Sequence, residues 1–90
     1  QGYRTIEDKG GMVLEVDLPG VAPSDVEVLT EDRHVVVRST QGDQKSTARY
    51  VIHDRYDVSS ATARMANGQL RVSFRPVSTR ESRRVKIDVS

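Results

Sequence analysis

Apolar residues alternate with polar residues along most of the chain, and this period of two constrains the fold more than any other feature. The clearest alternating positions are Met12, Leu14, Val16, Leu18, Val26, Val28, Val35, Val37, Tyr50, Ile52, Leu70, Val72 and Phe74. Successive side chains of a β-strand point to opposite faces, so this pattern predicts strands with one buried face. No segment keeps the spacing of an amphipathic helix over three turns, and we therefore expect no long helix.

Turn residues divide the alternating segments into short strands. Gly10-Gly11 separates the first strand from the second, which Pro19-Gly20 ends. Asn67-Gly68 lies between two β-like segments and is the strongest hairpin signal in the chain. Seven or eight short strands in 90 residues predict an all-β domain, an antiparallel β-sandwich with a single two-layer core.

The sequence divides into a sandwich at residues 1–77 and a C-terminal segment at 78–90. Residues 78–84 (S-T-R-E-S-R-R) are polar and typical of a linker. Val85, Ile87 and Val89 then alternate with polar residues, which predicts one more extended segment. Because the chain begins at Gln1 rather than Met, we expect a processed form or an excerpt of a longer protein.

Composition excludes several classes of function. The absence of cysteine rules out disulfides, thiolate metal sites and a cysteine nucleophile. The 14 basic and 13 acidic residues are nearly balanced, which argues against a histone-like nucleic-acid binder. One Phe, three Tyr and no Trp are few for a ligand pocket, and no apolar run is long enough for a membrane span or a signal peptide. We expect no cofactor, no membrane partner and a cytoplasmic location.

The residues that catalysis or metal binding would need are present only in weak patterns. His53-Asp54 with Ser59 or Ser60 supplies the residue types of a hydrolase triad, but neither serine is flanked by the glycines of a nucleophile turn. His34 has no second ligand at metal-binding spacing, and the acidic residues lack the rhythm of a calcium loop. We therefore expect neither an enzyme nor a metal site.

Two groups of basic residues remain unexplained by a sandwich core. They are Arg64, Arg71 and Arg75 beside the Asn67-Gly68 hairpin, and Arg80, Arg83, Arg84 and Lys86 near the C terminus. A stripe of this kind can follow nucleic-acid phosphates, but acidic residues are interspersed through the rest of the chain. We favour a solvated face, or charges that discourage pairing between sheet edges, and expect no nucleic-acid partner.

Three motifs follow one another in a characteristic order. Residues 16–21 are V-D-L-P-G-V, residues 25–28 are D-V-E-V, and residues 63–70 are A-R-M-A-N-G-Q-L, shortly before Pro76. In this order and spacing they resemble the α-crystallin domain of small heat-shock proteins. That family has a D-L-P-G-V turn after its third strand and an A-x-x-x-N-G-x-L hairpin between its eighth and ninth. The matching hairpin residues are Ala63, Asn67, Gly68 and Leu70.

The resemblance implies an immunoglobulin-like β-sandwich and the function of an ATP-independent holdase chaperone. Such a protein binds partly unfolded proteins and prevents their aggregation. Its implied partners are unfolded client proteins and further copies of the same chain, in a dimer or a larger homo-oligomer. A non-chaperone protein–protein interaction or co-chaperone module with the same sandwich is the alternative.

The resemblance also implies a binding groove and a segment that docks into it. In the family, a C-terminal I-x-I/V segment docks between the fourth and eighth strands of a neighbouring domain. The implied groove residues are Val26, Val28, Ala63 and Met65, and the implied docking residues are Val85, Ile87 and Val89. An extended segment with one apolar face can add to a strand edge in this way. The alternative is that residues 85–89 form an ordinary last strand packed on its own sheet.

The chain departs from the family between the fifth and seventh strands. The fifth strand is predicted to end near Ser39 and the seventh to include Tyr50, which leaves residues 40–48 between them. This is too short for the strand-bearing loop that bacterial and plant relatives exchange in their dimers, and it favours the interaction module. For a dimer we expect edge pairing along residues 45–52 instead, as in animal relatives, with Arg49 and Tyr50 at the interface. The resemblance also implies an N-terminal arm that carries much of the family's client binding, and we expect this arm to be missing or not included in the chain.

Overall fold

The computed structural model describes residues 2–77 and 87–89, and this part of the chain contains seven strands. In chain order these are β1 (Tyr3–Asp8), β2 (Gly11–Asp17), β3 (Val26–Glu31), β4 (His34–Gln41), β5 (Gln44–Val51), β6 (Thr62–Ala66) and β7 (Gln69–Phe74). They form two antiparallel sheets with the strand orders β1-β2-β7-β6 and β3-β4-β5. The prediction of an all-β antiparallel sandwich is therefore confirmed.

The core lies between the sheets and is built from the alternating positions of the central strands. β2 and β7 pair in a register that places Met12 opposite Phe74, Leu14 opposite Val72 and Val16 opposite Leu70. Each of these side chains is at most 5% exposed, and Val35 and Val37 of β4 belong to the same cluster. Burying one such side chain contributes about 1.5–3 kcal/mol, so these rows hold the two sheets together.

The Asn67-Gly68 hairpin joins β6 to β7, as the sequence predicts. Asn67 has a φ of 51° and Gly68 a φ of 73°, the left-handed conformation that two-residue hairpin turns between twisted strands require. The Gly68 carbonyl accepts a hydrogen bond of 2.7 Å from the Leu18 amide, just after the end of β2. The two most recognisable motifs, far apart in sequence, therefore lie in contact.

The connection between β4 and β5 is shorter than the sequence predicts. β4 continues to Gln41 and β5 begins at Gln44, so only Gly42 and Asp43 lie between the strands. The expectation that residues 40–48 form a connecting loop is wrong, because most of them belong to one continuous hairpin. β5 is an edge strand, and its solvated side chains give no apolar alternation that would mark it as a strand. The hairpin leaves no residues for a strand-bearing arm.

Arg33 fixes the connection from β5 to β6. Its guanidinium donates hydrogen bonds to the backbone carbonyls of Ile52, His53 and Tyr56. Farther along, the Asp57 carboxylate accepts from the Ser59 amide and begins a short 3₁₀ turn at Val58–Ser60. These bonds provide hydrogen-bond partners for backbone groups that lie outside the strands. They also position the 3₁₀ turn, whose Val58 packs in the core.

Candidate functional site

An open groove lies between β3 and β6, which are edge strands of the two different sheets. Its volume is about 250 Å³. It is lined by Val28, Thr30, Val58, Ser59, Ala61, Thr62, Ala63 and Val72. The walls thus come from β3, from β6 and from the turn that Arg33 and Asp57 position, while Val72 of β7 reaches it from the core.

The groove exposes the inner, apolar surface of the sandwich. Ala63 lies opposite the fully buried Val72 in the register of β6 and β7, so its methyl group faces the inner layer, yet it is exposed. Val28 lies opposite the buried Val37 and is only half-buried. Inner positions of a closed sandwich would be covered by the facing sheet. Among the described residues that cover is lacking, so a surface of five apolar and three hydroxyl-bearing residues, flanked by two strand edges, is open to solvent.

Of the four groove residues predicted in the sequence analysis, two line the groove and two do not. Val28 and Ala63 line the groove from opposite sides. Val26 is half-buried and lines a separate depression beside the β4–β5 hairpin, while Met65 packs against the core. The structure thus brings Val28 and Ala63 together, and their role in binding stays a prediction.

Several groove residues were missed by the sequence analysis. Thr30 follows Val28 at the same period of two, so the strand pattern could have indicated it. Val58 and Ala61 belong to the connection between β5 and β6, whose position depends on hydrogen bonds from Arg33. Such long-range contacts leave no periodic signal in the sequence.

The C-terminal residues that the structure describes, 87–89, are exposed. Ile87 is 79% exposed and Val89 is 94% exposed, and neither belongs to a strand. Both side chains are therefore uncovered by their own domain. Val85 and the polar linker lie outside the described residues, so the predicted boundary at residue 77 stays a prediction.

The predicted dimer residues lie on β5, at the free edge of the three-stranded sheet. Arg49 forms an ion pair of 2.9 Å with Glu31 on the outer face, across the central strand β4. Tyr50 faces inward, with its ring 4.9 Å from the ring of Tyr3 on β1, and partial burial raises the pKa of its hydroxyl. Val51, at the end of the strand, is 75% exposed. The edge is thus available for pairing, although its part in a dimer stays a prediction.

The residues of the weak triad pattern are not arranged as a triad. The hydroxyl of Ser59 donates to the Asp57 carboxylate at 2.6 Å, and that bond lowers the pKa of Asp57. The Ser60 hydroxyl donates instead to the Asp57 carbonyl, and His53 Nδ1 accepts from the Arg55 amide at 3.0 Å. Neither serine hydroxyl is therefore directed at the imidazole.

Within residues 2–77 and 87–89, no three His, Asp or Glu side chains form a group that could hold a metal ion. No helix in the same ranges has the length and apolar character needed to cross a membrane.

The fold and the groove together define a class of domain, a two-sheet antiparallel sandwich with a partly apolar groove between two sheet edges. A small heat-shock protein from Xylella fastidiosa has this fold, with a TM-score of 0.80, 19% identity and coverage of 98% of this chain and 95% of that one. The rat alpha crystallin domain also matches, with a TM-score of 0.70, 17% identity and 99% coverage of both chains. At these identities the similarity establishes the fold.

Sequence comparison identifies the family. The profile of the Hsp20/alpha crystallin family matches residues 4–90, and the chain belongs to this family. A curated relative, the chloroplastic small heat shock protein of Oxybasis rubra, is 28% identical over 96 aligned positions. The alignment covers 94% of this chain but 46% of the relative, so the chain spans about half the length of that protein. The resemblance inferred from the three motifs is confirmed.

Proposed function

We propose that this chain is the sandwich domain of an ATP-independent holdase chaperone and that the groove between β3 and β6 is its binding surface. The observation that supports this most directly is the exposure of inner-face residues, Val28 and Ala63, between two unpaired strand edges. Membership of a family of chaperones rather than enzymes supports the same proposal.

The chemistry of the groove suits an extended apolar segment. Partly unfolded proteins expose apolar side chains and unpaired backbone groups, and both lead to aggregation. An extended segment can hydrogen-bond to a strand edge while every second side chain enters the groove. Binding of this kind keeps the unfolded chain out of aggregates because the bound fraction is set by the binding equilibrium alone. It therefore requires no nucleotide.

The C-terminal segment of a second copy is the occupant that we propose for the groove when no client is bound. Ile87 and Val89 alternate with polar residues and are uncovered in their own domain. Burying each of them contributes about 1.5–3 kcal/mol. Docking in a neighbouring domain would link copies into a larger assembly, and the free edge of β5, with Arg49 and Tyr50, would join two sandwiches into a dimer.

Suppression of client aggregation tests the proposal. We expect the full-length protein to prevent thermal aggregation of a heat-labile enzyme at near-stoichiometric ratio, and Ala63→Glu to lose most of this activity because it places a charge in the groove. Ala66→Glu is the matched control, because Ala66 is an exposed alanine of the same strand that does not line the groove. No suppression by the unmodified protein, or equal loss in both variants, would contradict the proposal.

A non-chaperone interaction module is the second candidate. The two-residue turn between β4 and β5 favours it, because this turn excludes the exchanged arm of bacterial and plant relatives. The mass in solution with and without residues 80–90 distinguishes the two. A large assembly that depends on this segment supports the chaperone, and a monomer in both cases supports the module.

A further inference from the structure

Four charged residues form one row across the outer face of the four-stranded sheet. The register places Arg4 of β1 opposite Glu15 of β2, Glu15 opposite Arg71 of β7, and Arg71 opposite Arg64 of β6. Directly opposite residues of antiparallel strands carry their side chains on the same face. The row therefore contains three positive charges and one negative charge.

The single negative charge of the row, on Glu15, is paired with two of its three arginines. The Glu15 side chain is only 6% exposed; it accepts a hydrogen bond from Arg4 Nε at 2.7 Å and forms an ion pair with Arg71, whose Nε lies 3.1 Å away. The bond to Glu15, together with the nearby charge of Asp17, raises the pKa of Arg4. Within the described residues, Arg64 forms no ion pair. The β6 end of the row thus carries excess positive charge.

Arg64 and Arg71 are like charges placed directly opposite each other, an arrangement that destabilises a sheet unless something compensates it. In the next outward-facing row of the same two strands, Thr62 lies opposite Ser73. These four residues surround a depression of about 350 Å³ that also touches Ala63. Two guanidinium groups and two hydroxyls therefore line it, and no acidic side chain of residues 2–77 does.

We propose that this depression, which we call the β6–β7 arginine site, binds a phosphate-type oxyanion. Guanidinium groups bind such oxygens in pairs, and serine and threonine hydroxyls add single donors. The ion pair of Arg71 with Glu15 is closest at Nε, and the terminal Nη groups of Arg71 donate no hydrogen bond to another described residue, so they can donate to a ligand. A tetrahedral anion has enough oxygens for this donor set, whereas one carboxylate has only two. The two arginines are on the opposite face of β6 from the Ala63 methyl group, and the site borders the groove at Thr62 and Ala63.

Titration with inorganic phosphate, observed by NMR of the arginine Nε–H groups and of the Thr62 and Ser73 amides, tests the proposal. At constant ionic strength set with chloride, we expect saturable shifts at these four residues. Arg64→Gln removes charge-assisted hydrogen bonds and should weaken binding about tenfold. Arg38→Gln is the control, because Arg38 is an exposed arginine of the other sheet, and it should leave the affinity unchanged.

Three results would overturn the proposal: no saturable shifts, equal shifts with chloride, or an Arg64→Gln affinity equal to that of the unmodified protein. Phosphoserine serves as a second probe. Tighter binding of phosphoserine than of inorganic phosphate would identify a phosphorylated side chain as the source of the anion. Equal affinities would identify a free phosphate-type ion.

Discussion

At the scale of single residues, Arg33 illustrates how one side chain positions a functional wall. It lies just before β4, and its guanidinium holds the backbone of Ile52, His53 and Tyr56. Farther along the same connection, Val58 and Ala61 form one side of the groove. The shape of the groove therefore depends on a residue that does not line it.

Replacing Arg33 with alanine should destabilise the fold. The carbonyl of the buried Ile52 would lose its side-chain donor, and the arginine is partly exposed, so we expect a loss of about 1–3 kcal/mol in the free energy of unfolding. Urea denaturation measures this. Arg38→Ala, which removes an exposed pair of 3.5 Å, should change stability by no more than about 0.5 kcal/mol. Equal effects of the two substitutions would contradict the role assigned to Arg33.

At the scale of elements, the strands with one buried face were predictable and the edge strand β5 was not. β2 and β7 alternate because one face of each joins the core, and the sequence shows this directly. The side chains of β5 from Gln44 to Thr47 are all exposed, although the strand pairs with β4 along its whole length. The sequence of β5 therefore contains no apolar alternation that would identify it as a strand. Val28 and Ala63 could be named as groove residues only through the family resemblance, whereas the loop residues of the groove, Val58 and Ala61, could not be named.

The pairing of β6 with β7 makes a prediction about charge. Arg64→Glu would place an acidic group opposite Arg71, so we expect a gain of about 0.2–1 kcal/mol in the free energy of unfolding at low salt. The gain should shrink in 1 M salt because both residues are exposed. Thermal or urea unfolding measures it.

Arg38→Glu should have the opposite effect on stability from Arg64→Glu. It would place two acidic residues across from each other, since Arg38 pairs with Glu27, and should lower stability. A loss of stability in Arg64→Glu, or the same sign of change in both variants, would show that the cross-strand charges do not act as described.

At the scale of the whole molecule, the two sheets are closed by a shared core but remain open between β3 and β6. The same chain carries, near its C terminus, an alternating segment whose Ile87 and Val89 are uncovered. Association between copies can bury both surfaces, because the exposed apolar segment of one copy can occupy the open groove of another. Under the proposed function, a client that exposes a similar segment would compete for the same surface.

The most direct test is an NMR titration of the protein with a peptide of residues 83–90 (R-R-V-K-I-D-V-S), observed at the methyl groups of Val28 and Ala63. We expect saturable shifts at these two residues and at Ala61, and their loss when the peptide carries aspartate in place of Ile87. Shifts confined to the edge of β5, or equal shifts with both peptides, would contradict the assignment of the groove between β3 and β6 as the binding surface.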